Sequence, residues 1–268
     1  TLHAISALNG ALRWRYIAGG RIDSPPTVYR GRVLFGSADG YVYCLRVEDG
    51  GLIWRFRAAN HDLRTVAYGR LESVWPVPGN ILVVNGVAYF AAGRSSYLDG
   101  GMTLFRLDAT TGEVLGETRL FDRDPETGAQ LTREMPDTDL PGALPDVLSY
   151  DGNSIFLRDV RFDTQGVKQE MEVPHLYTAA GFLDGTWWHR AYWIWGSTMF
   201  GRARNWHVMG NNVPAGRLLV TSEDRVYGFG CKTYAGGDLG VAREEYHLFR
   251  AAKEVKPLDK PMSEVGRP

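Results

Sequence analysis

The chain has 268 residues, 44% of them hydrophobic and 12% aromatic, with 32 glycines and a formal net charge of -1. That is enough apolar material for one large or two small domains, which excludes disorder over most of the length, and the near-zero charge excludes the basic face a nucleic-acid binder needs. No apolar run approaches the roughly 18 to 20 residues of a membrane-spanning helix; stretches such as Ile81 to Val84 are strand-sized.

Read from the start, residues 4 to 14 (AISALNGALRW) return at 44 to 54 (CLRVEDGGLIW), so that Gly10 and Trp14 match Gly50 and Trp54. A third copy, RLDATTGEVLG at 106 to 116, keeps the turn at Gly112 and has Gly116 where the tryptophan stands. The upstream half repeats as well: GRVLFGSADGYVYCL at 31 to 45 matches GRLLVTSEDRVYGFG at 216 to 230, and GVAYFAAG at 86 to 93 is a looser version. Each unit reads as strand, polar turn, strand, tight turn, strand. The Asn9-Gly10 and Asp49-Gly50 turns predict type I′ hairpins, and no segment shows a capped 3.6-residue period, so helices are expected to be minor.

Antiparallel sheets repeated about every 40 residues bury both faces by stacking radially, which predicts an all-β chain forming a β-propeller of four-stranded antiparallel blades. The expected units are a half-blade at 1–20 and blades near 22–58, 72–121, 143–180 and 186–250, followed by a polar tail at 251–268 rich in lysine and proline. With inner strands missing from the first unit, we expect an incomplete ring of about four to five blades, finished by other domains of the same polypeptide or by a partner chain. Cys44 and Cys231 form no CxxC or adjacent pair, which excludes a zinc ribbon and an attached haem, and both are expected to be small buried hydrophobes.

At the motif Ala-x-x-x-Gly-x-x-x-Trp the sequence resembles the tryptophan-docking repeat of PQQ-like, quinoprotein-type propellers. It also resembles large bacterial multidomain proteins carrying such propellers, in ESVWPVPGNILVVNGVAYFAAGRSSYLDGG and GFLDGTWWHRAYWIWG. The resemblance implies an eight-bladed ring, a periplasmic or extracellular location and, in the catalytic members, a PQQ quinone held over calcium. The family also contains scaffolds, such as the propeller lipoprotein of the outer-membrane protein assembly machinery. The dehydrogenases place a disulfide between adjacent cysteines against the quinone; this chain has no adjacent cysteines and no compact Glu, Asn and Asp set matching their calcium ligands. The expectation is therefore a non-catalytic binding or scaffolding propeller without a cofactor. A carbohydrate-binding or carbohydrate-active propeller is the first alternative, and a PQQ- and calcium-dependent dehydrogenase the second.

Three segments could carry chemistry. Residues 182–207 hold five of the eight tryptophans together with histidine and arginine. Trp187, Trp188, His189, Arg190 and Tyr192 form the candidate ligand site, where rings stack on a sugar or quinone and the cations bind an acidic group, an acidic saccharide being the suited class. The same residues also suit an inner strand packed between blades. His61 and Arg64, in an expected irregular connection leading to Glu72 and Trp75, form the second candidate, although a solvated linker with a structural salt bridge is the reading expected first. Asp122 to Gly128 departs from a calcium loop, with glycine one place late and Arg133 where the closing glutamate belongs. It is expected to be a solvated excursion.

Overall fold

The computed structural model describes residues 1–67, 69–124, 126–129, 143–158, 160–170, 173–178, 193–196, 214–234 and 243–253. Every regular element among them is a strand. The chain divides into two compact units, the first comprising Thr1–Thr132 and Gly142–Gln169, the second Arg133–Pro141 and Glu170–Pro268.

The first unit contains a two-stranded sheet, β1 (Leu2–Ile5) with β2 (Leu12–Tyr16), and three four-stranded antiparallel sheets. The first of these is β3 (Thr27–Tyr29), β4 (Arg32–Gly36), β5 (Tyr41–Arg46) and β6 (Leu52–Arg57). A short hairpin follows, β7 (Arg64–Ala67) with β8 (Arg70–Ser73). Then come β9 (Leu82–Val84), β10 (Val87–Ala92), β11 (Met102–Asp108) and β12 (Val114–Leu120), and finally β13 (Leu148–Tyr150), β14 (Ile155–Leu157), β15 (Val160–Phe162) and β16 (Lys168–Gln169). Strand order follows chain order, as meandering propeller blades require. The hairpin replaces the irregular connection expected from the sequence.

Burial explains why the strands differ in pattern. The middle strands are buried on both faces, so their side chains alternate between two cores. Leu34, Val42 and Cys44 join Phe90 and Leu107 in one cluster, while Val33, Phe35, Tyr43 and Leu45 turn the other way, under Trp14 and Tyr16 of the preceding sheet. Phe35 and Tyr43 stack at 5.3 Å, with Tyr16 edge-on to both. Outer strands, with one solvated face, alternate between half-buried and exposed, as in β6.

The tight turns differ from the expected two-residue type. At 46–51, Arg46 and Gly51 close a longer loop through Arg46 N–H to Gly51 O (2.8 Å) and Gly50 N–H to Arg46 O (2.9 Å). Only Gly50 has a positive φ (73°), so a type I′ pair is excluded. The Asp49 carboxylate accepts from Gly51 N (2.9 Å) and Arg46 Nε (2.8 Å), and the guanidinium holds that carboxyl below its usual range.

Gly50 also meets its neighbour: a Cβ there would lie 2.7 Å from Trp14 Cε3, and one at Gly112 would lie 2.8 Å from Trp54 Cδ2. Each indole thus lies flat on the turn glycine of the next sheet. Both tryptophans are half-buried, because the outer strands keep one side in solvent. Where Gly116 replaces the tryptophan, its cross-strand partner Arg106 fills the space, donates to Gln165 Oε1 (3.1 Å) and reaches Gly166, whose Cβ would lie 3.2 Å from Arg106 Nε. The same β-bulge recurs in all three copies, at Ala4/Ile5, Cys44/Leu45 and Arg106/Leu107.

The second unit has β17 (His175–Thr178), β18 (Trp193–Gly196) and β19 (Ala215–Gly216) in one sheet, and β20 (Leu218–Thr221), β21 (Arg225–Tyr234) and β22 (Arg243–Ala252) in another. Trp195 Nε1 donates to Lys253 O at 3.0 Å.

Cys44 is fully buried, and burial raises its thiol from 9.0 to about 11. The raised folded-state value means that the unfolded thiol ionises first, so this contribution to stability is intact below pH 9 and is lost as pH rises through that window. Burial likewise raises Tyr43, whose hydroxyl donates to Asp39 Oδ2 at 2.5 Å. We expect Cys44 to resist iodoacetamide at pH 8 and to be alkylated in denaturant, read by peptide mass. Fast labelling of the native protein would contradict the buried placement.

Candidate functional site

The densest polar arrangement in the first unit is centred on Glu72, at the end of β8. Its carboxylate is 2% exposed and lies between two guanidiniums: Arg21 Nη1 is 2.9 Å from Oε1, and Arg94 Nη2 is 2.9 Å from Oε2. Arg21 Nε also pairs with Asp23, and Arg94 Nη2 donates to Ser73 O at 3.3 Å. A buried carboxylate is tolerable only when such partners compensate the lost hydration.

The backbone fixes these groups from three directions. Arg21 lies in the connection from β2 to β3, and its carbonyl accepts from Ala38 N (2.7 Å); Ser73 N donates to Ala38 O (2.8 Å). Arg94 follows β10, where Gly93 N donates to Pro76 O (2.9 Å). Glu72 therefore ties the hairpin to the connections of two neighbouring sheets. Beside it, Gly20, Arg21, Ile22, Arg70, Leu71 and Glu72 contribute to the walls of a cavity of about 390 Å³.

Of the sequence candidates, His61 meets Trp75 edge-to-face at 6.0 Å, and Trp75 Nε1 donates to Asp99 O at 2.8 Å. Arg64 pairs with Asp62 at 3.3 Å in a solvent-exposed contact. The chain thus brings His61 to Trp75 and leaves Arg64 in its own local pair. Trp187, Trp188, His189, Arg190 and Tyr192 lie outside the described residues. In the acidic loop, Asp124 Oδ1 accepts from Glu126 N and Thr127 N at 2.8 Å, which lowers its carboxyl and occupies it as a turn cap.

Sequence reasoning missed Arg21 and Arg94. Each is an ordinary arginine in its local sequence, and only the fold carries them to Glu72.

Among the described residues no three His, Cys, Asp or Glu side chains converge as metal ligands, Cys44 is sealed in a core, and Glu72 is held by two cations.

Residues 1–138 match the family model described as outer membrane protein assembly factor BamB. No curated protein matches the chain. Among solved structures, BamB from Moraxella catarrhalis is 15% identical with a TM-score of 0.45, covering 84% of this chain and 62% of that one. A europium-containing methanol dehydrogenase is 14% identical (TM-score 0.38; 76% and 33% covered). A quinohemoprotein alcohol dehydrogenase from Comamonas testosteroni is 13% identical (TM-score 0.40; 91% and 36% covered). The chain spans less than two thirds of the length of each of these three.

Proposed function

The chain belongs to the family described as outer membrane protein assembly factor BamB, and from that premise we propose that it is a non-catalytic binding propeller, an extracytoplasmic scaffold on which protein partners assemble. The observation that supports this reading is the double ion pairing of Glu72. Both Glu72 oxygens are ion-paired, so the carboxylate is a brace rather than a general base. Tryptophan docking between blades serves the same purpose, holding a rigid platform whose loops and hairpins are free to differ.

The test is in vivo cross-linking of the full-length protein in its own host, followed by fractionation and mass spectrometry of the cross-linked species. A defined set of envelope proteins, recovered reproducibly, is the expected result. Oxidation of alcohols by the purified protein reconstituted with PQQ and calcium would overturn the reading. Saturable binding of acidic oligosaccharides, abolished by Arg190→Ala without loss of melting temperature, would replace it with the saccharide alternative.

A further inference from the structure

The β7–β8 hairpin stands outside the four-stranded repeat, and its strands pair only with each other among the described residues. Isolated two-stranded ribbons are marginal in water, yet this one is anchored at its base by Glu72 and by Ser73 N on Ala38 O, and Val74 N on Leu63 O at 3.0 Å extends its own ladder.

The anchored ribbon presents apolar surface. Val66 and Leu71 are direct cross-strand partners, 75% and 59% exposed, with Leu63 at 55% nearby. Ala67 and Arg70 flank the two-residue connection, so that pair shares the backbone bonds, and alternation turns the N–H and C=O of Val66 and Leu71 outward. The bond from Ser73 N to Ala38, two residues on, follows the same alternation. It occupies the β8 edge at its base, whereas no described residue pairs with the β7 edge at Arg64–Ala67.

Charge selects the occupant. Residues 1–73 contain ten arginines against six acids, although the whole chain is at -1. The Arg70 side chain, on the hairpin, makes no hydrogen bond or ion pair among the described residues, and the acid nearest it in sequence, Glu72, is already neutralised. We propose that the hairpin is a docking edge, to which an extended acidic segment of a partner protein adds as a third strand along β7, with alternate apolar side chains covering Val66 and Leu71. This rests on the scaffold reading and names its contact.

The probe is a fluorescein-labelled eight-residue peptide alternating valine and glutamate, titrated by anisotropy against the whole protein, with its valine-lysine counterpart as control. The acidic peptide is expected to bind about tenfold more tightly than the basic one, and Val66→Asp to weaken it by about tenfold with the melting temperature unchanged. Val66→Pro, which removes the outward N–H, should weaken binding more than Val66→Ala. Equal binding of both peptides, full binding by Val66→Asp, or preference for anionic phospholipid vesicles over the peptide would overturn the proposal. In the cross-linking experiment, partners retained by Val66→Asp would refute the docking edge and leave the scaffold standing, whereas recovery of no partner from the parent would refute the scaffold.

Discussion

Glu72→Ala is expected to destabilise the protein by about 2 to 3 kcal/mol in urea unfolding. Removing one member of a fully buried ion pair costs about 3 to 5 kcal/mol, because the charge left behind has lost its water without keeping its partner. Here Arg21 keeps Asp23, Arg94 keeps Ser73 O, and their side chains are 24% and 17% exposed, so water returns to them and the loss falls below that range. Glu72→Gln, which keeps an acceptor oxygen, should cost less than Glu72→Ala. The triple replacement Arg21→Met, Glu72→Leu, Arg94→Met should recover part of the loss, since apolar substitution of a whole buried network is often neutral or stabilising. A Glu72→Ala variant within about 0.5 kcal/mol of the parent, the ordinary range of surface substitutions, would show that the cluster is not a brace.

Gly50→Ala should cost a further distinct amount, about 2 to 4 kcal/mol. Its φ of 73° imposes a left-handed conformation worth about 1 to 2 kcal/mol in any residue with a Cβ, and the new methyl group would sit 2.7 Å from the Trp14 ring. Gly10 separates the two terms. It has nearly the same φ, 71°, with nothing within 4 Å of its Cβ position, so Gly10→Ala should show the conformational cost alone. In a Trp14→Ala background the steric part of Gly50→Ala should vanish, giving a coupling of at least about 1 kcal/mol in the double-mutant cycle. Additive losses would mean that the ring does not rest on the glycine.

The repeat at Gly10/Trp14 and Gly50/Trp54 was legible because a turn glycine and an aromatic four residues on are local signals that the architecture repeats. The buried middle strands were legible for the same reason, as short β-branched and aromatic runs. The hairpin at 64–73 was not, since RTVA and RLES are four residues each and place their apolar residues on the solvent side, so no inward period marks them. Glu72 stood beside the expected His61 candidate and was visible as an acid near an irregular connection. Its partners were invisible, because Arg21 and Arg94 reach it from other sheets and carry no local mark. The turn type was misread because Asp49-Gly50 favours a type I′ pair only when it fills the whole connection; here it closes a longer loop that Asp49 caps.

The exchange of Trp54 for Gly116 has one more implication. In the cross-strand pairs Ala4–Trp14, Cys44–Trp54 and Arg106–Gly116, a small residue faces a large one each time, but in the third the large residue has changed strand and become charged. The first two joints are greased by an indole, and parting them wets an aromatic face. At the third, the lip is polar: Arg106 donates to Gln165, Thr118 Oγ1 to Gly166 O at 2.6 Å and Tyr89 Oη to Thr164 O at 2.8 Å, with Leu104, Ile155 and Phe162 sealed further in. The β13–β16 sheet is thus joined to its predecessor by directional hydrogen bonds where the earlier sheets are joined by rings, and the strength of that joint depends on the solvent rather than on apolar area.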